Sequence, residues 1–225
     1  MSQKYYKQTM IHRVTILAMT TALLSMFPLH GETILQYDFS TGLKPSAISS
    51  SITATPVEFG PFNGNKNSED RGRSSAEKGN LYVRVATLKK SGGQRLPATP
   101  EQAVDEGAYI DIALRARADR ISIDQFTAKA GAQSIGKDLV GDYTIHLFLR
   151  SSADKFSTDL GQFSYLKKSD VRGTTFAPAP WTVDLGSLSF AKDTRIIFRI
   201  YVYVETEAPD PNQTVRLDDI TITSK

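Results

Sequence analysis

The stretch RIIFRIYVYVE (195–205) alternates so strictly that it admits one secondary structure. Ile196, Phe198, Ile200, Val202 and Val204 share one parity, and Ile197, Arg199, Tyr201 and Tyr203 share the other. Successive side chains of an extended chain point to opposite faces, so the first set reads as a core face and the second as an amphipathic face toward water or a ligand. YTIHLFLR (143–150) repeats the pattern, with Tyr143, Ile145, Leu147 and Leu149 against Thr144, His146, Phe148 and Arg150. Further alternating runs lie near 33–39, 51–59, 80–88, 108–116, 120–128, 160–166, 181–186 and 214–222, each bounded by Gly, Pro, Asn, Asp or Ser. No long 3.6-residue pattern competes. The expected fold is all-β, a two-sheet antiparallel β-sandwich of jelly-roll type, in a single domain over residues 32–225. The longest connections, 64–80 and 89–107, are polar and read as exposed loops.

Residues 1–31 read as a secretory signal peptide: Lys4, Lys7 and Arg13 precede the apolar run VTILAMTTALLSMF, and Gly31 is a plausible cleavage point. The run is too short for a comfortable membrane span, and nothing apolar enough follows, so no span is expected in the mature chain. Translation from Met10 instead of Met1 would leave a more ordinary leader. Removing the leader takes three residues from the 27 basic ones and none from the 24 acidic ones, leaving 24 of each and a formal charge of zero. The basic isoelectric point therefore belongs to the leader, and nucleic acid is not an expected partner. The expected location is outside the cytoplasm: secreted, periplasmic or on the cell surface. Cysteine is absent, so stability must come from the core or from bound metal.

His12 and His30 leave with the leader, and the mature chain keeps one histidine, His146. A zinc centre of several imidazoles and any thiol chemistry are excluded. No GxSxG elbow and no phosphate-binding glycine loop is present. Paired carboxylates could serve glycoside hydrolysis, but Asp111, which alternates with core residues in YIDIAL, has no identifiable second carboxylate at catalytic distance. No catalytic residue is assigned, and an enzyme is the less favoured reading.

Two features are sharper. In RLDDITITSK the parity of Val215 and Leu217 is opposite to that of Ile220 and Ile222, so a β-bulge is expected at Asp218-Asp219. The bulge carbonyls and both carboxylates, with Asp38 of QYDFSTG as a third acid ligand, are a candidate structural Ca²⁺ site; the alternative is an acidic strand end that discourages edge-to-edge pairing. Second, Arg199, Tyr201 and Tyr203 join His146, Phe148 and Arg150 on one surface if their strands share a sheet. Aromatic planes stack on sugar rings and Arg or His bond hydroxyls, so these six residues are the candidate ligand site. Trp181 could add to it or belong to the core.

LRSSADKFSTDLGQF and IIFRIYVYVE…VRLDDITI resemble segments of a loose group of exported bacterial β-sandwich domains. The closing LDD and opening YDF are similar to the terminal strands of galactose-binding-like jelly-roll carbohydrate-binding modules, whose calcium is structural and whose glycan site lies elsewhere. In several such modules the opening carboxylate follows the Phe; here Ser40 follows Phe39 and Asp38 precedes it. The resemblance implies an exported, non-catalytic module for a glycan, a cell-envelope polysaccharide or an extracellular assembly. The alternatives are a polysaccharide lyase or glycoside hydrolase on the same scaffold, and a structural envelope or matrix protein.

Overall fold

The computed structural model describes residues 31–62, 74–77, 79–87, 94–135, 140–169 and 176–225. The expected leader, but for Gly31, lies outside the described residues. The chain forms a two-sheet antiparallel β-sandwich. One sheet runs in the order β11 (Ala179–Ala191), β8 (Arg120–Ser134), β13 (Gln213–Ser224), β1 (Glu32–Tyr37), β2 (Ala47–Ile48). In it, β6 (Asn80–Arg84) flanks the first half of β13 and carries β5 (Ser74–Glu77). The other sheet runs β10 (Gly161–Lys167), β9 (Tyr143–Ser151), β12 (Arg195–Glu205), β7 (Tyr109–Ala116), β3 (Ile52–Ala54), with β4 (Glu58–Phe59) also on β7.

The core lies between the sheets. The five alternate residues of β12 from Ile196 to Val204 and Tyr143, Ile145, Leu147 and Leu149 of β9 are all buried. From the facing sheet come Phe126, Trp181, Val215, Leu217, Ile220 and Ile222. Trp181 packs edge-on against Phe126 with ring centroids 5.3 Å apart, which makes it a core residue and removes it from the ligand face. Two of the buried tyrosines reach backbone carbonyls: Tyr37 donates to that of Thr55 at 2.6 Å and Tyr143 to that of Thr214 at 3.2 Å.

The bulge stands at the expected place. Asp218 pairs with Lys129 and Thr221 with Thr127, so β13 spends three residues where β8 spends two. Asp219 takes φ of +46°, a conformation Asp tolerates better than most side chains. Its amide donates to Asp218 Oδ1 at 2.7 Å. The extra residue lets Val215 and Leu217 before it, and Ile220 and Ile222 after it, all enter the core at 1% exposure or less.

Three expectations are corrected. The run 51–59 divides into β3 and β4 around Pro56, which has no N–H to give a ladder. The strand at 120–128 extends to 134, because Lys129–Ser134 pair with Asp218–Gln213 of β13, and the strand at 181–186 extends to 191, because pairing with β8 resumes at Leu188 after a shift at Gly186-Ser187, where φ is +60° and +62°. The segment 89–107 is not simply an exposed loop: Leu96 and Ala103 are buried, and Pro100–Asp105 is a short helix, α1. Thr99 caps it, accepting from the Gln102 amide at 3.3 Å, while Gln102 Oε1 accepts from the Ala98 amide at 3.1 Å. Thr-Pro-Glu-Gln is a start signal readable in the sequence, with Pro at the first helical position. Among the described residues no helix is long and apolar enough to cross a membrane.

Candidate functional site

The six candidate ligand residues come together. β9 and β12 are neighbours, and their register pairs Arg150 with Arg199, Phe148 with Tyr201 and His146 with Tyr203. Directly opposed residues share a face and stand close enough for their side chains to touch. The resulting surface is the outer face of the second sheet. It continues through Tyr109 and Asp111 of β7, and through Gln162 and Ser164 of β10.

The rings lie in two near-parallel stacks. His146 lies on Tyr203 with centroids 4.4 Å apart and planes 7° from parallel; Phe148 lies on Tyr201 at 4.7 Å and 11°. Arg150 covers the second stack, 5.0 Å from the Phe148 centroid and 5.5 Å from that of Tyr201. It is held there by Asp159 Oδ1 at 2.6 Å and the Phe156 carbonyl at 3.1 Å. Phe148 and Tyr201 are consequently only 2% and 4% exposed, so they support the face from below. The part open to a ligand is Tyr203 with His146.

Arg199 is an anchor. Its Nε and Nη2 donate to the two oxygens of Asp111, each at 2.8 Å, and its guanidinium lies 3.5 Å from the Tyr109 ring centroid and 4.2 Å from that of Phe156. Burial pulls the guanidinium pKa down, but the hydrogen bonds to Asp111 and Tyr201 outweigh it and leave the group firmly charged. Asp111 is therefore not a solvated outward carboxylate. The turn that delivers Phe156 is tightly specified. Ser151 caps a 3₁₀ turn over Ser152–Asp154, Ser152 Oγ accepts from the Ile197 amide at 2.9 Å, and Asp154 receives both the amide and the hydroxyl of Ser157. Lys155 and Phe156 both take left-handed φ, +61° and +62°, a local cost tolerated where the surroundings over-determine the geometry. The serines of RSSADKF are turn and capping residues.

The next row of the same face, Thr144 opposite Glu205, opens into a cleft of about 500 Å³ whose lining also includes Asp142, Leu166, Thr206 and Glu207. His146 Nδ1 lies 2.8 Å from Ser164 Oγ, and its Nε2, 3.5 Å from Glu205 Oε1, is buried without a hydrogen bond. Burial first, then the charges of Glu205, Glu101 and Asp159, raise the Tyr203 phenol above its ordinary pKa of 10.0. Glu101 reaches this neighbourhood on α1, which packs against β12. The sequence reading of the face missed it because it missed the helix.

At the β13 bulge the acids are already engaged. Asp219 is ion-paired with Lys129 Nζ at 2.5 Å, and Asp38 Oδ1 accepts from the amide and hydroxyl of Ser40 at 3.0 and 2.8 Å. Burial raises the Asp218 carboxyl above its ordinary range, with the charges of Asp219 and Asp38 adding to the effect. The charges of Asp219 and Asp38 thus both reach Asp218. Among the described residues, however, no three metal-ligating side chains gather as a metal centre would require, and a calcium ion here would have to displace Lys129.

No family model and no curated protein matches the chain. Among solved structures it is similar to two cleaved adhesin domains of Lys-gingipain from Porphyromonas gingivalis W83. The K3 domain has 16% identity and a TM-score of 0.44, covering 86% of this chain and 100% of that domain. For the K1 domain the figures are 17%, 0.41, 87% and 99%. A family 29 carbohydrate-binding module is similar at 10% identity and a TM-score of 0.34, covering 87% of this chain and 92% of the module.

Proposed function

We propose that the protein is an exported, non-catalytic β-sandwich that binds glycan on the outer face of its second sheet. The observation that carries this reading is the Tyr203–His146 stack, partly exposed and one row along the face from Thr144 and Glu205, which line the 500 Å³ cleft. A flat aromatic surface offers apolar contact to the C–H face of a sugar ring, and the cleft beyond it supplies hydroxyl and carboxylate acceptors from Thr144, Thr206 and Glu205 for sugar hydroxyls. The stack is preorganised: buried Phe148 and Tyr201 lie beside it, and Arg150 and Arg199 are held by carboxylates, so little side-chain freedom is lost on binding. Export rests on the leader read over residues 1–31.

The test is retention of the mature protein on a panel of insoluble and gel-embedded polysaccharides, with product release measured in parallel. Retention without new reducing ends or unsaturated products, lost in Tyr203→Ala but kept in Tyr203→Phe, is the expected result. Release of product would identify a lyase or hydrolase. Retention unchanged in Tyr203→Ala would remove this face as the site.

A further inference from the structure

The charges around the platform carry a statement about which glycans it can accept, and this inference rests on the glycan-binding reading above. Among the described residues the cations of the face are already paired: Arg150 with Asp159, Arg199 with Asp111, and Lys168 with Asp142, which lines the cleft. The carboxylates are in excess. Glu205 lies beside His146, and Glu207 lines the cleft. Glu101 lies in the first turn of α1, which packs against β12, and its charge is one of those that raise the Tyr203 phenol. Among the described residues neither Glu101 nor Glu207 has a lysine or arginine partner in an ion pair. Among the described residues, a glycan lying along Tyr203 toward the cleft therefore meets negative potential with no unpaired lysine or arginine on the face to receive an acidic substituent. A hydroxyl can donate to these carboxylates, whereas a uronate or sulfate ester can only be repelled.

We infer that the Tyr203 platform takes an uncharged, hydroxyl-rich polysaccharide and rejects chains bearing carboxylate or sulfate groups, with Glu101 and Glu205 as the residues that select.

Matched polymers test this, since one backbone can be offered in both forms: hydroxyethylcellulose against carboxymethylcellulose, and methyl-esterified against free polygalacturonate, beside neutral mannan and sulfated galactan. Affinity electrophoresis of the mature protein at low salt should retard it at least tenfold more strongly in the neutral member of any pair it recognises. The gap should shrink in 1 M salt, where the screening length falls from about 10 Å to about 3 Å. The double variant Glu101→Gln/Glu205→Gln, checked for an unchanged melt, should gain retention on the anionic member, so that the ratio of neutral to anionic retention falls several-fold even where the lost carboxylate acceptors weaken the neutral member. Equal or stronger retention of native protein on anionic chains, abolished by Tyr203→Ala, would overturn this inference and leave the glycan reading standing. Failure of the double variant to gain anionic binding would overturn the role of the two glutamates. Retention on no polymer would overturn the glycan reading and this inference with it.

Discussion

Arg199 and Asp111 face each other across β12 and β7 as a bidentate pair, with the guanidinium enclosed between the rings of Tyr109 and Phe156. The side chains are 18% and 12% exposed, so each charge depends on the other for most of its lost hydration. Removing one partner from such a pair costs about 3–5 kcal/mol when burial is complete, and about 2–4 kcal/mol is expected for Asp111→Ala with this residual exposure. Urea unfolding should show that loss. The double variant Arg199→Met/Asp111→Leu should recover most of it, because no uncompensated charge remains, whereas additive losses would show that the pair does not act as a unit.

Asp218 gives stability a pH dependence of definite sign. Its carboxyl is raised above the ordinary value of 3.8, chiefly by burial, so the folded state holds this proton more tightly than the unfolded chain does. Its contribution is full below that value and is lost as pH rises through the folded pKa. Asp218→Asn keeps an acceptor for the Asp219 amide and removes the charge. The variant should therefore melt higher than native protein at pH 7, with the advantage vanishing near pH 3. A lower melt at pH 7 would mean that the attraction of Lys129 for the carboxylate exceeds the cost of burying it.

Deleting Asp219 tests the bulge directly. Without the extra residue, Ile220 and Ile222, or else Val215 and Leu217, must turn to the outer face, although all four are now at 1% exposure or less. Exposing two large aliphatic side chains forfeits roughly 3–6 kcal/mol, most of the 5–15 kcal/mol typical of a domain. The deletion should leave the protein unfolded or protease-sensitive at 37 °C. Asp219→Gly, by contrast, should stay within about 1 kcal/mol of native: glycine suits the positive φ, and the lost ion pair with Lys129 is exposed. A deletion variant with a native melt would show that the strand can re-register.

These cases indicate what the sequence disclosed. Period-2 alternation marked β9 and β12 because each has one apolar and one mixed face, and the parity break at Asp218-Asp219 marked the bulge because hydrophobic residues flank it on both sides. The same break is present in β8, where Ile121 and Ile123 give way to Phe126 and Ala128, but small alanines make it quiet. Alternation placed His146, Phe148, Arg150, Arg199, Tyr201 and Tyr203 on outward faces, yet register is a property of two strands together, so their pairing became visible only in the fold. Burial divided them further: the cover that Arg150 gives Phe148 and Tyr201 depends on Asp159 and the Phe156 carbonyl, which no spacing in β9 reveals. Helix α1 was missed because six residues are too few to show a helical period, leaving only its cap as a sign.

Calcium at the bulge is tested through its competition with Lys129. Asp38, Asp218 and Asp219 offer carboxylate oxygens, but Ca²⁺ takes about six to eight ligands, and the ammonium of Lys129 already occupies Asp219. An ion bound to the folded state alone raises the melting temperature as its concentration exceeds its dissociation constant. Lys129→Met removes the competing cation and leaves the three acids in place. A structural calcium ion should therefore raise the melt of the native protein at millimolar Ca²⁺, raise that of Lys129→Met further, and lose both effects to chelator. Mg²⁺, which demands a tighter octahedral shell, should do less. Melts of both proteins unmoved by Ca²⁺ would assign the bulge to the Lys129–Asp219 pair alone, with the acids serving to fix the change of parity in β13.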